Sequence, residues 1–157
     1  MSKKPKETGR RILNKQARYH YHVLQTIEAG IALTGSEVRS LRQGQAQLSE
    51  AFARIRGNAV TLHGCQIDRY KPANEFNHDP LRIRRLLLHR REIHKVASQL
   101  HQRGVTLIPL SIYFNDRGLA KVELGVAIGK KQYDKRQDLR KKDHEREMKR
   151  ASIRRER

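Results

Sequence analysis

A single cysteine, Cys65, stands alone among 157 residues. It excludes an internal disulfide and fits a reducing compartment. No apolar run approaches the roughly 20 residues that span a bilayer as a helix. The opening MSKKPKETGRR is charged and leads into no apolar h-region, so no secretory signal is expected and the expected location is the cytoplasm. Acid is scarce too: 16 Asp and Glu face 35 Lys and Arg, for a net charge of +19. Solubility does not require such an imbalance. It points first to nucleic acid and only second to an anionic membrane surface, which no apolar segment supports. The helix-turn-helix, zinc-finger and bZIP patterns that read duplex DNA are missing. RNA is therefore the favoured partner, read by shape, the 2′-OH and stacking, for which Tyr19, Tyr21, Tyr113 and Tyr133 are available.

What is present reads as one small domain with basic ends. Residues 1–11 form a basic, flexible arm, and residues 12–129 carry the apolar content. Tyr19–Leu33 reads as one long strand or two short ones. A short helix follows over 36–43, with Ser36 as N-cap and Gly44 past its end. Val38 and Leu41 share one face of it, Arg39 and Arg42 the next. SEAFARIRG and AVTLHGCQI flank Gly57-Asn58, a two-residue hairpin signal. Ala51, Ala53 and Ile55 alternate there with Phe52, Arg54 and Arg56, so one side of that strand faces solvent or ligand.

Residues 69–80 read as a loop, and 81–103 as one long helix. Ile93, Val96, Ala97 and Leu100 form its buried stripe, Gly104 stops it, and a break near His89 stays open. TLIPLSIYF places Ile108, Leu110, Ile112 and Phe114 on one side; LAKVELGVAIG does the same for Ala120, Val122, Leu124, Val126 and Ile128. NDRG joins the two as a hairpin. Pro109 cannot donate a ladder hydrogen bond, so it belongs at an edge or a strand start.

Five or six antiparallel strands with one short and one long flanking helix make the chain mainly β. A small OB-like barrel disposes of the edges. Residues 130–157 form a basic tail, with thirteen Lys and Arg against six Asp and Glu from residue 129 onward. Leu139, Met148, Ala151 and Ile153 are too sparse to bury a face, so the tail is expected to be disordered when free and to fold as a helix in an anionic groove.

Two chemistries compete with RNA binding. His20-x-His22 and His63-x-Cys65 each set two metal ligands on one strand face, a zinc site if those strands were neighbours. The plainer reading is surface histidines meeting phosphate and a small buried thiol. For catalysis, histidines 20, 22, 89, 94 and 101 with Glu28 or Glu37 offer general bases. No G-x-S-x-G, P-loop, paired-metal carboxylate or Cys/His signature organises them, so no enzyme, cofactor or metal is expected.

GIALTGSEVRSLRQG, DPLRIRRLLLHRREI and AKVELGVAIGKKQYDKR, in that order, closely resemble the small protein B (SmpB) family of tmRNA-binding proteins of bacterial trans-translation. The resemblance runs from about Asn14 to Arg136; beyond it only basic character and length match. It implies an OB-like barrel with flanking helices that binds the tRNA-like domain of tmRNA on stalled ribosomes without catalysis of its own. It places the RNA-contacting glutamate, leucine and lysine on Glu28, Leu87 and Lys121. Asn14, Lys15 and Arg18 join them, as do Glu37, Arg39, Ser40 and Arg42 of the EVRSLR segment, and Arg84, Arg85 and His89. It also implies a ribosome-binding tail motif on Gly129, Lys130, Lys131, Tyr133, Asp134, Lys135 and Arg136. That tail would enter the decoding centre and empty mRNA channel of the small subunit. Elongation factor Tu and alanyl-tRNA synthetase would act indirectly, through tmRNA, on a monomeric protein. Three departures stand out: Tyr133 where the family often has histidine, Ile128 where it is often basic, and no tryptophan near His144.

Overall fold

The computed structural model describes residues 10–155, without the side chains of Tyr133 and of 152–155. Of the expected arm, residues 1–9 lie outside the described residues. Among the described residues nine strands form: β1 Ile12–Leu13, β2 Tyr21–Ile31, β3 Ala46–Gln47, β4 Phe52–Arg56, β5 Ala59–His63, β6 Gln66–Ile67, β7 Arg84–Leu87, β8 Val105–Phe114 and β9 Ala120–Gly129. The helices are α1 Ala17–His20, α2 Gly35–Arg42, α3 Arg90–Leu100 and α4 Gln132–Arg155, with a 3₁₀ segment at Lys71–Phe76. Every strand pairing is antiparallel. The main sheet runs β8-β4-β5-β7-β2-β9, and β8 also pairs with β9, so six strands close into a ring to which β1 adds a short seventh. This is the mainly-β architecture of about six strands expected from the alternating segments.

The hairpins fall where their turn residues lie. Arg56 pairs with Ala59 across Gly57-Asn58, with Gly57 at φ 56°. Phe114 pairs with Ala120 across a loop tied by Asn115, whose side chain accepts from the Leu119 N–H at 2.9 Å. Leu62, Leu107, Ile112, Val122, Leu124 and Val126 fill the interior, and α2 and α3 add Leu41, Ile93 and Val96.

Strict alternation fails along β8. A register shift between Pro109 and Ser111 reverses the side-chain parity. Leu107, Ile112 and Phe114 point into the ring, whereas Ile108 and Leu110 join Ala127 beneath Ala17 of α1. Ile128 of β9 likewise leaves the interior and is exposed. Pro109 is therefore neither at an edge nor at a strand start. It pairs with Leu124 at the bulge, and its carbonyl accepts from the Asn14 amide at 3.0 Å.

Three other expectations are corrected. Residues 81–103 are not a helix: Arg84–Leu87 is a ring strand, and only Arg90–Leu100 is helical. Leu86 and Arg84 face inward and Arg85 and Leu87 outward, a period of two disguised by a charged residue at an inward position. The helix is capped by His89, whose N–H donates to Glu92 at 2.9 Å. The basic tail, expected to be disordered alone, is the 24-residue helix α4. No glycine or proline follows Gly129, and Asp134 lies in the first turn. Lys130 ties the start of α4 down: its N–H donates to the His20 carbonyl at 2.9 Å, and its ammonium pairs with Asp138. α2 also begins one residue earlier than expected, capped by Thr34 rather than Ser36.

Candidate nucleic-acid interface

The ring register gathers the three residues that the motifs single out. Gly30 in β2 pairs with Leu87 of β7 on one side and with Lys121 of β9 on the other; Lys121 in turn pairs with Tyr113 of β8. Glu28 lies two residues before Gly30 on the same face, opposite Glu123. Leu87 is 55% exposed, a large apolar side chain held in solvent. A Cβ on Gly30 would lie 3.2 Å from that of Leu87, so the glycine keeps a bare, flat place between leucine and lysine.

Acid and base alternate across this face. The Tyr113 hydroxyl donates to Glu28, and the Lys121 ammonium lies 3.3 Å from the same carboxylate. The hydrogen bond from Tyr113, with the Lys121 charge, holds the Glu28 carboxyl below the usual carboxylate range. The same bond to Glu28 pushes the Tyr113 hydroxyl up to about 12. At neutral pH one is therefore an ion and the other a donor. Arg11 pairs with Glu123 and lies 5.0 Å over the Tyr113 ring, while Ser111 donates to Glu123 at 2.9 Å. A carboxylate held ionised, with lone pairs free, accepts from a base amino group or a 2′-OH. Lys121 suits a phosphate, and Leu87 an apolar ribose or base face.

Next to this row lies a basic cleft of about 480 Å³, lined by Arg11, Leu13, Asn14, Lys15, Arg18, Leu110 and Glu123. Lys15 and Arg18 are exposed there. The Asn14 side chain, expected at the RNA surface, is bonded within the protein. Its amide donates to the Leu48 and Pro109 carbonyls at 2.9 and 3.0 Å, and its oxygen accepts from the Ala17 N–H at 3.1 Å.

Arg39 and Arg42 form a separate basic edge on α2, each held against an aromatic ring: Arg39 is 5.6 Å from Tyr70 and Arg42 is 5.5 Å from Phe114. Three residues expected on the same surface lie inside. Glu37, Ser40 and Arg84 are all 0% exposed. Glu37 accepts from Arg82 at 2.7 and 3.1 Å, from Arg84 at 2.9 Å and from the Thr34 N–H at 2.8 Å. Arg84 spends its other donors on the carbonyls of Cys65, Arg82 and Pro80, at 2.6, 2.9 and 3.1 Å. Burial alone would push the Glu37 carboxyl up; the hydrogen bonds from Arg82 and Thr34, with both guanidinium charges, hold it below the usual range instead. Glu37 is thus a pin between α2 and the segment entering β7. Arg85 and His89 are exposed, as expected.

The chain matches the family model described as SmpB protein over residues 11–154. It belongs to the SmpB family. The SsrA-binding protein of Salinispora arenicola is 52% identical over 153 residues, 96% of each chain. That of Moorella thermoacetica is 50% identical over 138 residues, 88% of this chain and 89% of its own. A solved structure described as "tmRNA-SmpB: a journey to the center of the bacterial ribosome" contains a chain 46% identical to this one. It superposes with a TM-score of 0.67, covering 78% of this chain and 85% of that one. SmpB membership bears out the resemblance carried by the three motifs.

Arg11, Glu123 and Arg82 are what sequence reading misses in this SmpB chain. Arg11 reads as part of a flexible arm, yet its partner lies 112 residues away. No local spacing signals such a pair. At the tail, Lys130 and Lys135 face α1: Lys130 donates to the Arg18 carbonyl at 3.0 Å, and Lys135 lies 5.8 Å over Tyr19. Gly129, Lys131, Asp134 and Arg136 are exposed, and the Tyr133 side chain lies outside the described residues. Among the described residues no group of three or more His, Cys, Asp or Glu is placed to hold a metal. Cys65 is buried, and burial pushes its thiol up to about 11. No helix is long and apolar enough to cross a membrane among the described residues.

Proposed function

We propose that this chain binds tmRNA through its tRNA-like domain and positions it on stalled ribosomes, with the α4 tail probing the empty mRNA channel. The observation that carries the reading is the convergence of Glu28, Leu87 and Lys121 around Gly30 in a chain of the SmpB family. The basic cleft at Lys15 and Arg18 extends the surface toward the phosphate backbone. The protein works as a cytoplasmic monomer without catalysis of its own. Elongation factor Tu and alanyl-tRNA synthetase act on the complex through tmRNA.

Sequencing the RNA that co-purifies with the full chain tests this reading. One dominant tmRNA species is expected; ribosomal RNA in equimolar amount without tmRNA would overturn it in favour of a structural ribosomal protein. The α2 edge makes a second test. Arg39→Glu with Arg42→Glu replaces two exposed cations by anions, so tmRNA affinity should fall by roughly tenfold or more at about 0.15 M salt. The slope of log affinity against log salt should become shallower by about one to two. An unchanged slope in filter binding would remove α2 from the interface.

A further inference from the structure

Two carboxylates confront each other on the sheet face that carries Glu28. Glu28 of β2 pairs in register with Glu123 of β9, and like charges directly opposite across a ladder repel. Each has its own partners. The Lys121 ammonium lies 3.3 Å from Oε1 of Glu28, and the Tyr113 hydroxyl donates to Oε2 of the same group. Both oxygens of Glu28 are thus held from one side, which gives an exposed side chain a single orientation. Glu123 takes none of this help: its Oε2 accepts from Arg11 and, at 2.9 Å, from the Ser111 hydroxyl.

Arg11 is held more firmly than an exposed ion pair requires. Beyond its bond to Glu123, its Nε donates to Ser111 Oγ at 3.1 Å and its guanidinium lies 5.0 Å over the Tyr113 ring. Ser111 has no exposed surface, so one of the three contacts is anchored in the barrel wall. A solvated pair would be loosely held and screened by salt; three partners on β8 and β9 fix this guanidinium in one place. Lys121 lies two residues before Glu123 on the same face of β9, and Tyr113 pairs with Lys121. Without Arg11, Glu123 is the nearest competitor for the ammonium and the hydroxyl that orient Glu28. Both members of the pair already act on that hydroxyl. Its pKa is raised first by the bond to Glu28 and then by burial, while the Arg11 charge lowers it and the Glu123 charge raises it.

We infer that Arg11 is a positioning residue of the RNA surface: by matching Glu123 it leaves Lys121 and Tyr113 to hold Glu28 in the orientation that RNA meets. This role rests on the RNA-binding reading above and adds to it a residue that acts through others. The competing role is direct. Arg11 lines the basic cleft with Lys15 and Arg18, where a guanidinium suits a phosphate. The two roles differ in one respect: only the positioning role depends on the charge of Glu123.

Arg11→Gln is made in the full chain in three backgrounds, the parent, Glu123→Gln and Glu28→Ala, and each is titrated with a transcript of the tRNA-like domain of tmRNA. The Arg11 side chain is 53% exposed, so the single variant should melt like the parent. In the parent background it should lose about fivefold or more in affinity, with the slope of log affinity against log salt unchanged. In the Glu123→Gln background the same substitution should cost less than about twofold, because no unmatched carboxylate is left to compete. In the Glu28→Ala background it should again cost less than about twofold, because the group it helps to orient is gone. An equal loss in all three backgrounds, with the slope shallower by about one, makes Arg11 a phosphate contact and overturns the positioning role. A loss under about twofold in the parent background overturns it too, and leaves a solvated ion pair. In both cases the parent chain still binds the transcript, so the RNA-binding reading stands. A parent chain that does not bind the transcript sinks that reading and the role of Arg11 with it.

Discussion

Glu37→Ala should cost about 3–5 kcal/mol of folding free energy, the largest stability loss expected from a single polar substitution here. The carboxylate neutralises Arg84, which has no exposed surface, and Arg82, which is partly exposed. Its removal leaves a guanidinium charge in the interior with no counter-ion. It also strips the Thr34 N–H of its acceptor at the start of α2. For a chain of this size the melting temperature should fall by roughly 10–20 °C, read by circular dichroism. Removing the pair together, as Glu37→Leu with Arg84→Met, should cost less than Glu37→Ala alone, because no buried charge is then left unmatched. A loss under about 1 kcal/mol for Glu37→Ala would mean that water or a relaxed Arg84 takes over the carboxylate's role.

The same pin dictates an acid sensitivity. Glu37 has a lower pKa folded than unfolded, so the fold holds this carboxylate deprotonated at pH values where the unfolded chain binds a proton. Its contribution is complete above the ordinary value of 4.5 and is lost as pH falls below that toward the folded-state value. Melts between about pH 7 and pH 3 should therefore show part of the acid destabilisation missing in Glu37→Gln, which has no proton to gain.

Local pattern and long-range partnership were not equally legible in the sequence. The β4–β5 and β8–β9 hairpins are written in alternating residues and turn chemistry, and both form as read. The strand at 84–87 was hidden because one inward position is arginine, which a hydrophobic count scores as surface. Its true signal was a buried ion pair with Glu37, 47 residues away. The site divides in the same way. Glu28, Leu87 and Lys121 are reachable through family motifs, and the register around Gly30 shows how the fold brings three distant residues together. Glu37, Ser40 and Arg84 were misplaced for one physical reason: a charged or polar residue in a basic motif reads as exposed, and only tertiary packing shows which of them the interior has claimed. The bulge at Pro109–Ser111 was likewise invisible, since it changes parity without changing composition.

Deleting residues 134–157 should abolish peptide tagging of stalled chains while leaving tmRNA affinity within about threefold and the barrel's melting temperature nearly unchanged. The reason lies in how α4 is attached. Lys130 stays in place after the cut, and its bonds to the His20 and Arg18 carbonyls keep the end of β9 tied to α1. What is lost is the Lys135 contact with Tyr19 and His20, the Asp138 partner of Lys130, and a helix whose described side chains are largely exposed. None of the three residues around Gly30 lies in the deleted segment. The 24 residues of α4 reach about 36 Å, with basic side chains spread along that length, which suits a narrow anionic channel better than a globular partner. Charge alone does not explain the tail, because a disordered basic segment would supply the same attraction; the helix adds reach and a fixed order of contacts. Leu139→Pro separates these contributions. It keeps every charge of the tail but breaks the helix at a cost of about 3 kcal/mol. Tagging should fall sharply in that variant with tmRNA binding intact. If Leu139→Pro tags normally, the tail acts as a cationic tether and its helical form carries no function; if the deletion instead destroys tmRNA binding, barrel and tail are one site.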